Sequence, residues 1–201
     1  MKLALPLTLG IVWIALTLWV KFDGPILGDA RLYAWAQAHP ATTESFATFQ
    51  QFFGTLGSPI VGVLTALTAA TVVLRNVGAR QAGLVVAAAA GALVEPVVAE
   101  VVGLTDAAAQ LGVLEGGYPS GHTLFAATTY GAIAWLGWRH GRREVAAIAV
   151  ALIVLMGAVR ATDRSHLLDE VLGGYLLGAT WLCFLLSIST GPRRPPTARR
   201  T

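Results

Sequence analysis

Six apolar runs, each bounded by charged or turn-forming residues, constrain what this chain can fold into more than any other feature: Leu3–Val20, Ser58–Leu74, Gln81–Gly103, Thr123–Trp138, Val145–Val159 and Leu167–Ile188. Each comes close to the ~20 residues a helix needs to cross hydrocarbon. With 55% hydrophobic and only 12% charged residues, the chain is far too apolar for a water-soluble domain of its length. The expected architecture is an all-α polytopic membrane protein in which six transmembrane helices form one bundle over residues 1–189. A basic, Pro- and Arg-rich tail, residues 190–201, is expected to be disordered and cytoplasmic, anchoring the topology and lying on anionic lipid. The first run follows Lys2 and ends in Leu-Trp-Val-Lys rather than at a small-residue cleavage site, so it reads as a retained span.

Six spans put both termini on one side of the membrane, and the basic residues decide which. Lys2, Arg75, Arg80, Arg139, Arg142, Arg143, Arg193, Arg194, Arg199 and Arg200 fall on the side of the termini, against Lys21, Arg31, Arg160 and Arg164 on the other. The positive-inside rule therefore predicts cytoplasmic termini in a cell (plasma or inner) membrane. The net charge of +3 is spent at the ends of apolar runs, with no basic stripe and interleaved aromatics, so nucleic acid is excluded as a partner. Cys183 lies inside a run and, being the one cysteine, forms no intrachain disulfide. No internal repeat or second domain is evident.

Between the first two spans, residues 22–57 are expected outside, as amphipathic interfacial helices carrying Leu32, Trp35 and Ala36, then Phe46, Phe49 and Phe53, at helical spacing. Such a segment covers the bundle or shapes a lipid entrance. His39 and His140 read as surface and loop residues.

Two clusters carry chemistry, and the topology puts both at the external face. Pro119-Ser120-Gly121-His122 precedes a span, so its backbone N–H groups should sit at a helix N-terminus, where free donors hold anions. Ser120 adds a hydroxyl, Gly121 permits close approach of a phosphate, and His122 is placed to protonate a leaving oxygen. The alternative is an ordinary capped helix start. In the second cluster, Arg160 ends the fifth span, His166 begins the sixth, and Glu170 lies one turn beyond His166 on the same face. A carboxylate there can accept the Nδ1 proton of His166 and leave Nε2 free to attack phosphorus. The competing reading makes Arg160, Asp163, Arg164, Asp169 and Glu170 a solvated ion-pair cluster at the interface.

Taken together, Pro-Ser-Gly-His and Arg-x5-His-x3-acid closely resemble the second and third signature motifs of the type 2 phosphatidic acid phosphatase superfamily. The resemblance implies six spans with an external site, phosphatase activity on a lipid phosphate and no metal or other cofactor. By the same resemblance His166 is the nucleophile forming a phosphohistidine, His122 the general acid, and Ser120, Gly121 and Arg160 the phosphate binders. Glu170, or alternatively Asp169, orients His166. The departures lie in the first motif, Lys-x6-Arg-Pro, because no Lys or Arg stands between Arg80 and Arg139. Glu95-Pro96, Glu100 and Thr105-Asp106 occupy that stretch, while Val159 stands where a serine is usual and Glu170 where an aspartate is usual. Arg164, one turn from Arg160, is expected to supply part of the missing charge. Glu95 and Glu100 are expected to salt-bridge Arg160 or Arg164, or to hold a cationic or hydroxyl-rich head group; Glu100 alternatively snorkels to the interface. Pro96 is expected to kink its helix.

The expected function is hydrolysis of an isoprenoid or glycerolipid phosphate or diphosphate. The alternatives are a lipid phosphotransferase and a catalytically degenerate protein that binds or transports lipid phosphate or serves as a scaffold. The motifs name a lipid phosphate and the bilayer as partners and point to no protein partner.

Overall fold

The structure, a computed structural model, describes residues 3–22, 24, 28–39, 43–102 and 117–189. The basic tail and the Thr105-Asp106 pair lie outside the described residues. In chain order the helices are α1 (Ala4–Phe22), α2 (Asp29–Ala38), α3 (Glu44–Leu56), α4 (Pro59–Asn76), α5 (Ala79–Ala90), α6 (Glu95–Val102), α7 (Gly121–Phe125), α8 (Gly131–Arg139), α9 (Arg143–Thr162) and α10 (Leu168–Ser189).

Local chemistry sets several of these boundaries. Thr43 caps α3, its hydroxyl accepting the Phe46 N–H at 3.2 Å. Pro59 opens α4, where the N–H it lacks would have had no helical partner. The reversals into α5 and α9 run through Gly78 (φ 131°) and Gly141 (φ 72°), backbone that L side chains seldom adopt.

The described chain is all helix and turn, and five helical stretches are long and apolar enough to cross a membrane: Ala4–Phe22, Pro59–Asn76, Ala79–Val102, Arg143–Thr162 and Leu168–Ser189. The run expected over Thr123–Trp138 is helical from Gly121 to Arg139, but a π-helical turn at Ala126–Tyr130 splits it into α7 and α8. The expected kink at Pro96 is displaced upstream. A 3₁₀ turn at Gly91–Val94 divides α5 from α6, and Pro96 falls in the first turn of α6, where a proline is tolerated. Ile11, Ile60, Leu64, Ile148 and Val154 all point outward and exposed, an apolar exterior suited to lipid rather than water.

α10 is the axis of the bundle. α1 lies along one side of it, and the hydroxyl of Thr17 reaches the Tyr118 hydroxyl at 2.9 Å. The other face of α10 carries Gly173, Gly174 and Gly178, against which the chain from Tyr118 to Ala127 packs. A β-carbon at Gly174 would sit 2.2 Å from Thr123 Oγ1 and 2.5 Å from the Ser120 carbonyl oxygen. The absence of side chains lets two backbones touch, and polar groups join there: the Ser120 N–H donates to the Glu170 carbonyl at 2.9 Å, and the Thr123 hydroxyl to the Val171 carbonyl at 3.1 Å.

The interfacial segment docks more deeply than its pattern foretells. α2 buries Asp29, Tyr33 and Ala36 and leaves Leu32 half-buried and Trp35 51% exposed, so of the expected Leu32, Trp35 and Ala36 stripe Trp35 is turned outward. The cause is Asp29, whose carboxylate accepts the Asp169 N–H at 3.1 Å in the first turn of α10, drawing an acid inward to a helix N-terminus. In α3, Phe46 and Phe49 remain exposed while Phe53 enters the core beside Phe125, Tyr130, Met156 and Val159. His39 stacks on Trp35 at the surface, and His140 is exposed at the end of α8.

The α10 contact predicts a sharp contrast between two Gly→Ala variants. Gly174→Ala should destabilise the protein by about 1–3 kcal/mol or more, since a carbonyl oxygen cannot step aside. Gly83→Ala, in a helix with nothing within 4 Å of the added methyl, should be neutral or stabilising by up to ~1 kcal/mol. Thermal unfolding in detergent measures both.

Candidate active site

The sharp turn from α9 into α10 and the start of α7 meet at one end of the bundle. Because Ser120 is tied to the Glu170 carbonyl, the first turn of α7 and the first turn of α10 are held side by side. His122 and His166, distant in sequence, thereby face each other with ring centroids 6.3 Å apart. That spacing lets both rings reach a single phosphoryl group, given attack distances of ~3–3.5 Å and hydrogen bonds near 2.8 Å.

His166 is oriented from behind. Its Nδ1 lies 2.8 Å from Glu170 Oε2, and that same oxygen accepts the Leu167 N–H at 3.2 Å. An oxygen already accepting from the backbone is an acceptor for the ring as well, so Nδ1 carries the hydrogen and Nε2 presents its lone pair. Glu170 is fully buried and His166 8% exposed, which shields the pair from competing water. Asp169, the alternative orienter, is directed elsewhere, fully buried against Asp29 of α2. The solvated ion-pair reading therefore fails for Asp169 and Glu170, and the reason is the docking of α2 and α7 over the first turn of α10.

Arg160 supplies the cation. Its Nη1 pairs with Asp163 Oδ2 at 2.8 Å, and Asp163 Oδ1 accepts the Ser165 N–H at 2.9 Å, so the carboxylate ties the arginine to the turn before His166. Both side chains are nearly enclosed, at 12% and 11% exposure. Arg160 pairs with Asp163, then, rather than with Glu95 or Glu100 as the sequence led us to expect. Among the described residues, Arg160 Nε, Ser120 Oγ and Glu170 Oε1 are buried without a hydrogen-bond partner. Two of these are donors facing no protein acceptor, a costly arrangement unless a ligand completes it. Ser120 stands at the N-cap position of α7, yet its hydroxyl makes no capping bond, which removes the reading of an ordinary capped helix start.

The remaining expected residues are distributed unevenly. Gly121 faces Glu95: a β-carbon on the glycine would meet Glu95 Cγ, Cδ and Oε2 at 3.3–3.5 Å, and the acid stands within electrostatic reach of His166. Glu95 thus belongs to the site. Glu100 is exposed on α6 and has no hydrogen bond or ion pair among the described residues. Arg164 is likewise exposed and without such partners, in a left-handed conformation (φ 66°) just past the end of α9. Sequence reasoning missed the contribution of α3: the Gly54 carbonyl oxygen lies 3.0 Å from His122 Nε2. A backbone carbonyl leaves no mark on residue type. A cleft of about 460 Å³ opens beside it, lined by Gln50, Gln51, Thr55, Ser58, Arg160 and Asp163 as well as Gly54. Among the described residues no group of three or more His, Cys, Asp or Glu side chains is arranged to hold a metal ion.

Comparison with known proteins bears on both fold and motifs. The sequence model of the PAP2 superfamily, that of the type 2 phosphatidic acid phosphatases, matches residues 66–194. The fold is similar to that of a solved transmembrane PAP2-type phosphatidylglycerolphosphate phosphatase from Bacillus subtilis, with a TM-score of 0.72 and 18% sequence identity, covering 91% of this chain and 94% of that one. No curated protein matches the chain in sequence.

Proposed function

Since the chain belongs to the PAP2 superfamily, we propose that it is an integral-membrane lipid phosphatase, a phosphoric ester or anhydride hydrolase whose substrate is an isoprenoid or glycerolipid phosphate. The observation that carries this reading is the His166–Glu170 pair facing His122 across 6.3 Å, with the unpartnered donors of Ser120 and Arg160 beside them. A phosphoryl group placed there has an attacking nitrogen on one side, a proton donor on the other and cationic and hydroxyl donors for its oxygens. Similarity to a phosphatidylglycerolphosphate phosphatase supports the glycerolipid option.

In the proposed reaction, His166 Nε2 attacks phosphorus as the bond to the lipid oxygen breaks, and Glu170 stabilises the imidazolium through Nδ1. The protonated form of His122 gives one proton to the leaving oxygen and becomes neutral. Water then attacks the phosphohistidine. His122 takes the proton of that water, phosphate departs and His166 is regenerated. Ser120, Gly121 and Arg160 bind the phosphoryl oxygens throughout. Arg164, exposed at the rim, adds at most long-range attraction.

Glu95 favours a second reading. A carboxylate beside a phosphate site repels the substrate, but it can also accept a hydrogen bond from a hydroxyl, so transfer from the phosphohistidine to an acceptor alcohol competes with hydrolysis.

The decisive assay is phosphate release from a panel of polyprenyl and glycerolipid phosphates by the purified protein in detergent. Radiolabelled substrate should leave an acid-labile phosphoenzyme that His166→Ala abolishes together with turnover, while His122→Ala should slow the reaction by roughly 10²–10⁴-fold. Unchanged hydrolysis in both variants would exclude this mechanism.

The two arginines should separate cleanly. A charge-assisted contact contributes ~1.5–3 kcal/mol, so Arg160→Ala should lower kcat/KM by roughly ten- to a hundredfold. Arg164→Ala should change it by less than about fivefold, as for an exposed charge. Glu95→Gln should leave hydrolysis equal or faster. If it instead slows turnover and an added alcohol acceptor no longer takes up phosphate, the transfer reading gains.

We place the site on the external face of a cell membrane, with both termini cytoplasmic, on the arginine asymmetry of the sequence. A cysteine substituted at Arg164 should react with an impermeant maleimide applied to intact cells, and one at Gly141 should not. Labelling at Gly141 would reverse the orientation.

A further inference from the structure

α3 and the corner that follows it lie outside the matched segment 66–194, yet they touch the site directly. His122 Nε2 lies 3.0 Å from the Gly54 carbonyl oxygen. A carbonyl oxygen only accepts, so the contact is a hydrogen bond only when Nε2 carries a proton. With Nε2 held in this way, Nδ1 is the nitrogen left to protonate the leaving oxygen, as Glu170 holding Nδ1 of His166 leaves Nε2 of that ring free.

The second contact is steric. A β-carbon on Gly57 would lie 2.3 Å from Cδ2, 2.9 Å from Cγ and 3.2 Å from Cβ of His122. The last two atoms are close to the backbone of α7 and cannot swing aside as the tip of a flexible chain would. Gly57 itself has φ −92° and ψ 0°, backbone open to any residue, so the imidazole and not the fold of the turn requires a glycine here. The corner is fixed independently of His122. Phe53, 3% exposed, is wedged among Phe125, Met156 and Val159, and the Gly57 N–H returns to the Phe53 carbonyl at 3.2 Å.

We propose that the corner from Gly54 to Gly57 positions the acid of the reaction: the Gly54 carbonyl accepts the Nε2 proton of His122 and so fixes the ring, leaving Nδ1 to give up its proton, and Gly57 provides the space in which the ring stands. Gly57 is a positioning residue, since it touches His122 and not the substrate. The inference rests on the reading of His122 as the leaving-group acid.

The test compares two substrates of the full-length protein in detergent: an alkyl phosphate, whose alkoxide must be protonated to depart, and p-nitrophenyl phosphate, whose nitrophenolate departs without help. Gly57→Ala should lower kcat on the alkyl phosphate by roughly ten- to a hundredfold, part of the range a general acid supplies. KM and the rate on p-nitrophenyl phosphate should stay within about threefold. His122→Ala should show the same leaving-group selectivity, and adding Gly57→Ala to it should cost nothing further, because the methyl then fills the vacated space. Equal loss on both substrates in Gly57→Ala, beside a selective His122→Ala, overturns the positioning role alone. Equal loss in His122→Ala overturns the acid assignment and the proposal with it. Should Gly57→Ala fail to fold, the double variant still decides: melting like His122→Ala places the clash on the ring, and unfolding as well places it elsewhere and ends the proposal.

Discussion

The contact of the α10 glycine face with the chain from Tyr118 to Ala127 is the constraint on which the rest depends. Three small residues let two backbones meet closely enough for the Ser120 N–H to reach the Glu170 carbonyl and the Thr123 hydroxyl to reach Val171. In lipid, where apolar side chains gain little by leaving the solvent, such close packing and interhelical hydrogen bonding are what remain to hold helices together. The same contact has a chemical result. It puts the first turn of α7 beside the first turn of α10, and so brings His122 within 6.3 Å of His166. The packing that organises the bundle and the geometry that organises the site are one arrangement.

Charge in the site is balanced locally. Arg160 is neutralised in part by Asp163, which also grips the Ser165 backbone, and His166 is backed by Glu170, whose one oxygen serves both the ring and the Leu167 N–H. Asp163 and Glu170 thus each face a basic group and a backbone donor, whereas Asp169 is buried against Asp29 with neither carboxylate oxygen hydrogen-bonded among the described residues. Glu95 also departs from this pattern. It stands beside Gly121 and, among the described residues, forms no ion pair. In the proposed reaction its carboxylate opposes the approach of an anion, and Arg160 carries most of the attraction.

The interfacial helices complete the site rather than merely covering it. Asp29 of α2 holds the first turn of α10 through the N–H of Asp169, the residue next to Glu170. The corner after α3 meets His122 through Gly54 and Gly57, and a β-carbon on Gly54 would lie 3.5 Å from Arg160 Nη1. Phe53 fastens that corner to α7 and α9. A site whose motif residues all sit in helical spans and their junctions therefore owes its third wall to a segment without a motif.

Residue type and spacing determined a good deal of this protein. The lengths of the apolar runs dictate a helical membrane bundle, because lipid leaves a backbone few other ways to satisfy its hydrogen bonds. The four-residue spacing of His166 and Glu170 suited a contact, but His166 lies in the bend before α10 rather than on its face, and the pair forms because Glu170 in the first turn of the helix reaches back to it. Other features were legible only in three dimensions. The π turn in the α7–α8 run and the 3₁₀ turn before Pro96 leave no mark in the hydrophobic pattern. Trp35 faces outward because Asp29 faces inward, and periodicity alone cannot weigh a buried acid at a helix end against an apolar stripe. Arg160 chose Asp163 over the glutamates, a choice made by the course of the turn before His166. Gly57 and the Gly54 carbonyl were invisible for the plainest reason: one has no side chain and the other is backbone, and their meaning arises only where tertiary packing brings them against His122.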